Sequence, residues 1–435
     1  MNQAMSKPSK NHHYVPRAQL RHFSIDKKER QVWVFDKESE RTWTSAIAGA
    51  GSENNFNTVE LDTGRWNFED LFNDVDGRSA GVIRQIVDTR SLAWVQPEDH
   101  LALLDLFATQ MLRTHLARTS PRLLAEQMRE LVRRLGYNPD QDPEMAMPTE
   151  AALRIEAVRR FLDRGELVAP MARLQPALFA PNQNERFVLS DHPVVVSNAY
   201  PYGDAALQSH GVIVFLPLAP DLAAVLICPT IIAKYESIER ANLPSDRRAR
   251  MERYRAGFRT GEPIRIESEE LQNWNRLEVV YSRRYLYGSI DDFDFARTIL
   301  AEDPSLRRVE THVSMGEMGA APPQRQGMPK GLQLVVQGQH DSCILAIVEV
   351  DKSGEGLTAR TESLTLLKQI AADPGEMSVE LYEDGNLRRG MAAVRVEPVK
   401  RPVSGWFRVV HRDDGLRELA RKTDPGPLRR DESQE

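Results

Sequence analysis

Three of the ten histidines, His12, His13 and His22, fall within eleven residues, where random placement would put about 0.25. In an extended segment His12 and His13 face opposite sides, so only one serves a given pocket. Arg17 and Arg21 are four apart and share a helical face. Residues 1–30 carry seven Lys/Arg against two Asp/Glu, a local +5, while the remaining 50 basic and 61 acidic side chains give −11. A basic, His-bearing mouth suits a phosphate-containing ligand. A neutral His13 or His12 would be the general base, and Arg17 and Arg21 would stabilise developing negative charge. The competing reading is structural: His13 hydrogen-bonds buried backbone and anchors the N-terminal segment.

A second constellation is helical. Gln110 and Arg113 lie one turn apart on the flank of an apolar stripe, and Arg118 and Arg122 follow. A buried Arg needs an acidic partner or an anion. Glu69 is the expected partner of Arg113, with substrate contact as the alternative. Ser190-Asp191-His192-Pro193 holds the letters of a hydrolase triad, but adjacent side chains diverge and cannot form one. An Asx-type turn by Asp191 before Pro193 is the expected geometry, and a site role for Ser190 or Asp191 stays open beside it. Residues 245–260 hold six Arg with Tyr254 and Phe258 interleaved. Such a run would contact single-stranded nucleic acid through phosphates and base stacking, or form a solvated helix with its aromatics inward.

Other chemistries lack a signature. There is no Cys pair, no His-Glu-x-x-His and no dense Asp loop. A divalent metal is left open only through a scattered set such as His13, Glu69 and Asp191, and the cofactor is unknown. Gly49-Ala-Gly51 is too short for a phosphate loop.

The elements that must position these residues follow from pattern. The chain has 435 residues, 41% hydrophobic and 28% charged, with net charge −6. That balance is globular, excludes polycation binding and permits two to three domains. No apolar run is long enough to span a membrane and no signal peptide is read at the start. Cys228 and Cys343 lie in apolar runs and read as buried reduced thiols of a cytoplasmic protein.

Expected are a polar leader (1–11) and a core domain (12–302). A linker (303–330), a small domain (331–411) and a charged tail (412–435) follow. The fold class is α+β: an N-terminal β-meander, a helical middle, a β-rich second half of the core, and a separate small α+β C-terminal domain. Gln31–Phe35 and Arg41–Thr44 read as a hairpin, with Phe56–Leu61 as a third strand. Pro97 opens a helix with a buried stripe of Leu101, Leu104, Ala108 and Met111. Ser120-Pro121 reads as the next helix start, Thr149–Arg164 as another helix, and Leu277–Tyr287 as a strand.

His12-His13-Tyr14-Val15-Pro16, then Leu20 and Phe23, resembles the opening of the bacterial domain of unknown function 4238 family. Gln110, Arg113 and Pro121-Arg122 resemble its helix-end pattern, and Ser190-Asp191-His192-Pro193-Val194 its Ser-Asp-x-Pro-Val turn. Pro217–Pro220, and Asn275 with Val279-Val280-Tyr281, resemble later segments. The likeness covers about residues 12–290 and stops short of the C-terminal unit. Asp76 stands where the family would have the second of two spaced glutamates, Glu69 being the first. The resemblance implies a fold and a set of positions, not an activity. The His before Val-Pro is also similar to the first strand of ββα-metal nucleases. Asn54, Asn55 and Asn57 lie downstream, and after them no His comes until His100.

Two function classes result. One is a phosphodiester-directed enzyme, nuclease-like or nucleotide-hydrolase-like. Its catalytic residues would be His13, His12 and Asp191. Arg17, Arg21, Gln110, Arg113, Glu69, Ser190 and Asn275 would hold substrate. The other is a non-catalytic binding or sensing protein in which His-His-Tyr-Val-Pro is a latch. The partners expected are nucleic acid or a nucleotide, and a protein contacted through 331–411, with no membrane.

Overall fold

A computed structural model describes residues 11–26, 28, 30–61, 64–199, 206–237, 245–311, 328–337, 344–352, 357–361, 366, 370, 376–398 and 406–410. The expected leader up to residue 10, most of the linker, Cys343 and the charged tail lie outside them.

The N-terminal part runs β1 (Asn11–His13), α1 (Arg17–His22), β2 (Gln31–Asp36), β3 (Arg41–Ala46), β4 (Ser52–Asn54), β5 (Thr58–Leu61) and β6 (Gly64–Asn67). The helical middle is α2 (Glu69–Thr89), α3 (Pro97–Leu112), α4 (His115–Arg134), α5 (Glu150–Leu162) and α6 (Gly165–Met171). Then come β7 (Gln175–Ala180), β8 (Leu189–Ser190), β9 (Val195–Asn198), β10 (Val212–Ala219), β11 (Leu222–Ile227), α7 (Pro229–Ser237), α8 (Ser245–Thr260), β12 (Ile264–Arg265), α9 (Ser268–Tyr281), β13 (Tyr285–Gly288) and α10 (Asp294–Glu302). The chain divides into two units. One comprises 1–196, 214–227 and 239–320, the other 197–213, 228–238 and 321–435.

The sheet that matters most for the site has the order β3-β2-β13-β8. Its two faces follow from strand alternation. Val34, Leu189 and Tyr287 point to one side, into a cluster with Tyr14, Val15, Leu20 and Phe23. Their chain neighbours Phe35, Val188 and Leu286 point to the other side, against Val279, Phe293 and Leu300. One face is thus covered by the N-terminal segment and the other by α9 and α10. A second sheet has the order β12-β7-β11-β10-β9, and β11 is buried at every residue.

Several expectations need correction. Phe56–Leu61 does not extend the β2–β3 hairpin; β5 pairs with β6 in a hairpin of its own. Helix α4 starts six residues before Pro121 and runs through it. Thr114 supplies the cap, its side chain accepting from the Ala117 N–H, and Pro121 removes only one ladder bond. Helix α3 has no one-sided stripe: Leu101 is half exposed, while every residue from Ala102 to Gln110 is buried. A helix buried nearly all round belongs to the interior. Residues Leu277–Tyr281 complete α9 rather than starting a strand. The Ser190–Pro193 turn carries the chain from β8 in one sheet to β9 in the other.

In the second unit, β14 (Leu332–Gln337), β15 (Ile344–Lys352), β16 (Leu357–Arg360), β17 (Glu376–Glu383), β18 (Asn386–Pro398) and β19 (Trp406–Val410) close into an antiparallel barrel. Its interior is built by alternation: Leu334 and Val336, Val348 and Val350, Met377, Val379 and Leu381, Val394 and Val396, Phe407 and Val409. Closure leaves no edge strand open to pairing. Strand β16, four residues with two apolar side chains, carries little periodicity to mark it in the sequence.

Candidate functional site

The His-His-Tyr-Val-Pro segment enters the first unit as β1, paired to β4 with His12 opposite Glu53 and His13 opposite Ser52. The Gly51 carbonyl then accepts from both Tyr14 and Val15 N–H, at 2.9 and 3.1 Å. Gly51 has φ +59°, and a Cβ there would stand 2.8 Å from the Val15 Cβ. Only glycine permits that approach.

Both histidine rings are buried. His12 Nδ1 accepts from the Asn57 backbone N–H at 2.8 Å, which leaves the ring proton on Nε2 in the neutral form. Glu69 Oε2 lies 4.0 Å from the same nitrogen and accepts from Asn57 Nδ2 at 2.6 Å. His13 Nε2 accepts from Arg17 Nε at 3.2 Å, and the Ile47 and Ala48 carbonyls lie within hydrogen-bonding reach of its ring. Burial, and then the charges of Arg17 and Arg113, push His13 down to about 4. A group so weakly basic takes up little proton at neutral pH.

Arg113 caps the end of α3 and is buried. Its Nε donates to the Tyr14 carbonyl at 3.2 Å, and its Nη1 meets Asp76 Oδ1 at 2.8 Å. Gln110, with its amide nitrogen toward the Tyr14 carbonyl at 3.2 Å, accepts from Arg113 Nε at 3.1 Å. The expected Glu69–Arg113 pair is therefore corrected. Asp76, two turns further along α2, holds Arg113, while Glu69 at the helix start serves Asn57. The Asp carboxylate suffices because α2 carries it directly to the guanidinium.

On the other side of the segment the Tyr14 hydroxyl bonds Tyr287 and feels the charge of Asp191. Asp191 is enclosed and accepts three backbone N–H groups: Arg283 on Oδ1 at 2.8 Å, and Arg284 and Tyr285 on Oδ2 at 2.9 Å each. Burial pushes its pKa up, against the pull of these bonds and of Lys37. The local turn expected of Asp191 is made by Ser190 instead, whose Oγ accepts from the His192 N–H at 3.2 Å. Lys37 is fully buried, donates to the Val279 and Ser282 carbonyls at 2.7 Å each, and is pushed down to about 8 by burial.

The fold thus gathers His12, His13, Arg17, Glu69, Gln110 and Arg113 around one segment, with Ser190 and Asp191 behind Tyr14. It does not gather two others. Arg21 is exposed on α1. Asn275 accepts from the Val188 N–H at 3.1 Å and donates to the Arg186 carbonyl at 2.9 Å, clamping the segment that leads into β8. In α8, Tyr254 and Phe258 are buried, and Arg250 and Arg253 pair with Glu270 and Glu267. These aromatics offer no face to a nucleic-acid base. Among the described residues no group of three His, Cys, Asp or Glu is arranged to hold a metal, and no helix is long and apolar enough to cross a membrane. Cys228 is buried with a free thiol.

The residue that sequence reasoning missed is Arg154 on α5. Arg154, Ala157 and Val158 line a cavity also walled by Arg113 and Arg118, and Phe161 on the same helix is buried. The spacing of 154, 157, 158 and 161 is an inward helical stripe with a guanidinium as its first member. That signal was legible.

Neither a curated protein nor a solved structure matches the chain. A protein family does, described as "Protein of unknown function (DUF4238)", over residues 11–292. That span holds the His-His-Tyr-Val-Pro segment, the helical middle and the Ser190–Pro193 turn, and covers well over half of the chain. The chain therefore belongs to the DUF4238 family.

Proposed function

We propose that this chain is a non-catalytic binding protein in which His-His-Tyr-Val-Pro is a structural latch. One observation carries the reading: each histidine spends an acceptor nitrogen on the chain itself, His12 on the Asn57 N–H and His13 on Arg17. A general base must present a free lone pair to the proton it removes. The phosphodiester-directed enzyme asks for a free lone pair on His13, and its Nε2 already accepts from Arg17. Asp191 is likewise committed to three backbone groups. Residence in the cytoplasm is part of the proposal, supported by the buried free thiol of Cys228.

The test uses purified full-length protein, labelled DNA, RNA and nucleotides, with and without divalent metal, beside melting curves. The expected outcome is no turnover. His12→Ala, which strands the Asn57 N–H, costs about 1–3 kcal/mol. Cleavage by the wild type that His13→Ala abolishes without lowering the melting temperature overturns the reading in favour of the enzyme.

A further inference from the structure

Arg113, Arg118 and Arg154 come from the end of α3, the first turn of α4 and the second turn of α5, and all three wall one small cavity with Asn57, Phe72 and Ala157. Among the described residues each guanidinium keeps one buried N–H without a partner: Nη2 of Arg113, and Nε of Arg118 and of Arg154. Buried donors left unmade are costly, and native structures rarely keep three beside one another. Their other bonds go mainly to neutral acceptors. Arg118 donates to the Phe56 carbonyl and, at 3.0 Å, to Asn57 Oδ1, and lies 3.5 Å above the Phe56 ring. Arg154 donates to the Thr58 carbonyl. Among the described residues Arg113 alone of the three has a carboxylate in direct contact, Asp76. Glu53 and Glu150, whose charges act on Arg118, make their direct contacts with His115 and Arg122. Burial and the charge of Arg154 hold Arg118 down to about 10, so the cations strain against each other.

We propose that these three arginines form a receptor for one phosphate group. The argument is charge, geometry and size together. Among the described residues the three guanidiniums share one directly paired carboxylate, and a phosphate of about −1.5 to −2 offsets more of that positive charge than a single carboxylate does. The forked N–H groups match phosphate oxygens. The water-sized space is about 10 Å³, room for one oxygen atom. One phosphate oxygen enters, and the rest of the group stays on the side where Arg118 and Arg154 are only partly buried. The proposal rests on the binding reading above and names its ligand class.

The test is calorimetric titration of inorganic phosphate into the full-length protein at matched ionic strength, with chloride and acetate as comparators. Phosphate is expected to bind, and chloride and acetate at least tenfold more weakly. Arg154→Gln should weaken phosphate binding tenfold or more. Ala157→Leu fills the cavity while leaving every charge, and should do the same; it decides alone if Arg154→Gln does not fold. Phosphate binding no tighter than chloride or acetate, or wild-type binding by both variants, overturns the receptor. Hydrolysis of a phosphomonoester that follows the same two variants supports the receptor and overturns the non-catalytic reading instead.

Discussion

Asp191→Ala separates a structural carboxylate from a catalytic one. The wild-type side chain accepts the N–H groups of Arg283, Arg284 and Tyr285, the loop that joins α9 to β13. Alanine strands all three. A buried donor without a partner costs about 1–3 kcal/mol, so three cost at least about 3 kcal/mol even when water reaches some of them. Lys37 also loses the negative charge that offsets its burial. At about 2–4 °C per kcal/mol, the first unit should melt at least about 6 °C lower. Asp191→Asn is the graded control. Its single oxygen can serve Arg284 and Tyr285, but its NH2 then faces the Arg283 N–H, so an intermediate loss is expected. The assay is calorimetric or circular-dichroism melting, following the transition of the first unit separately, since two units need not melt together. A variant that melts like the wild type yet loses an activity or a ligand refutes the structural account and returns Asp191 to the site.

Three further outcomes are expected. His13 is held near 4 against an ordinary 6.5; a depressed folded value gives stability that is present above pH 6.5 and lost as pH falls towards 4. The ceiling is about 3 kcal/mol, and His13→Asn should flatten that acid slope in denaturant titrations; an unchanged slope contradicts it. Glu278 is fully buried beside Ser190 and Asp191, and burial raises its carboxyl well above the ordinary range. A raised value gives stability that is lost as pH rises, so Glu278→Gln should be more stable than wild type at pH 7, with the gap closing at pH 4; parallel curves at the two pH values refute it. Asp76→Ala leaves the buried Arg113 guanidinium without its carboxylate. The cost should lie near the lower end of about 3–5 kcal/mol because Asp76 is partly exposed, and a urea midpoint unchanged from wild type argues against the pair.

The legibility of the fold tracks how local its signals are. Two short strand-type runs close together announced the β2–β3 hairpin, which pairs with Val34 opposite Trp43. Thr149 announced α5, and its side chain does accept from the Ala152 N–H. Where a local signal competed with packing, packing prevailed. Pro121 looked like a helix start, yet Thr114 caps the helix earlier and the packed helix tolerates the missing N–H. Leu101 looked like core, yet α3 turns its opposite residues inward.

For the site, the sequence by itself determined which polar residues are unusual: the paired histidines, Gln110 with Arg113, and the Ser190-Asp191 turn. Residue type and spacing carry that much, since an Arg or Asp embedded in apolar periodicity is bound to be buried and bound to need a partner. What each residue does was decided by the tertiary structure. Asp191 reaches backbone 92 to 94 positions away, Arg113 reaches Tyr14 across 99 positions, and Lys37 reaches the end of α9 across 242. The choice of Asp76 over Glu69 and the meeting of Arg154 with Arg113 depend on how α2 and α5 lie against the α3–α4 corner. No spacing along the chain encodes such a partner, because a long-range hydrogen bond is fixed by where packing brings two backbones together.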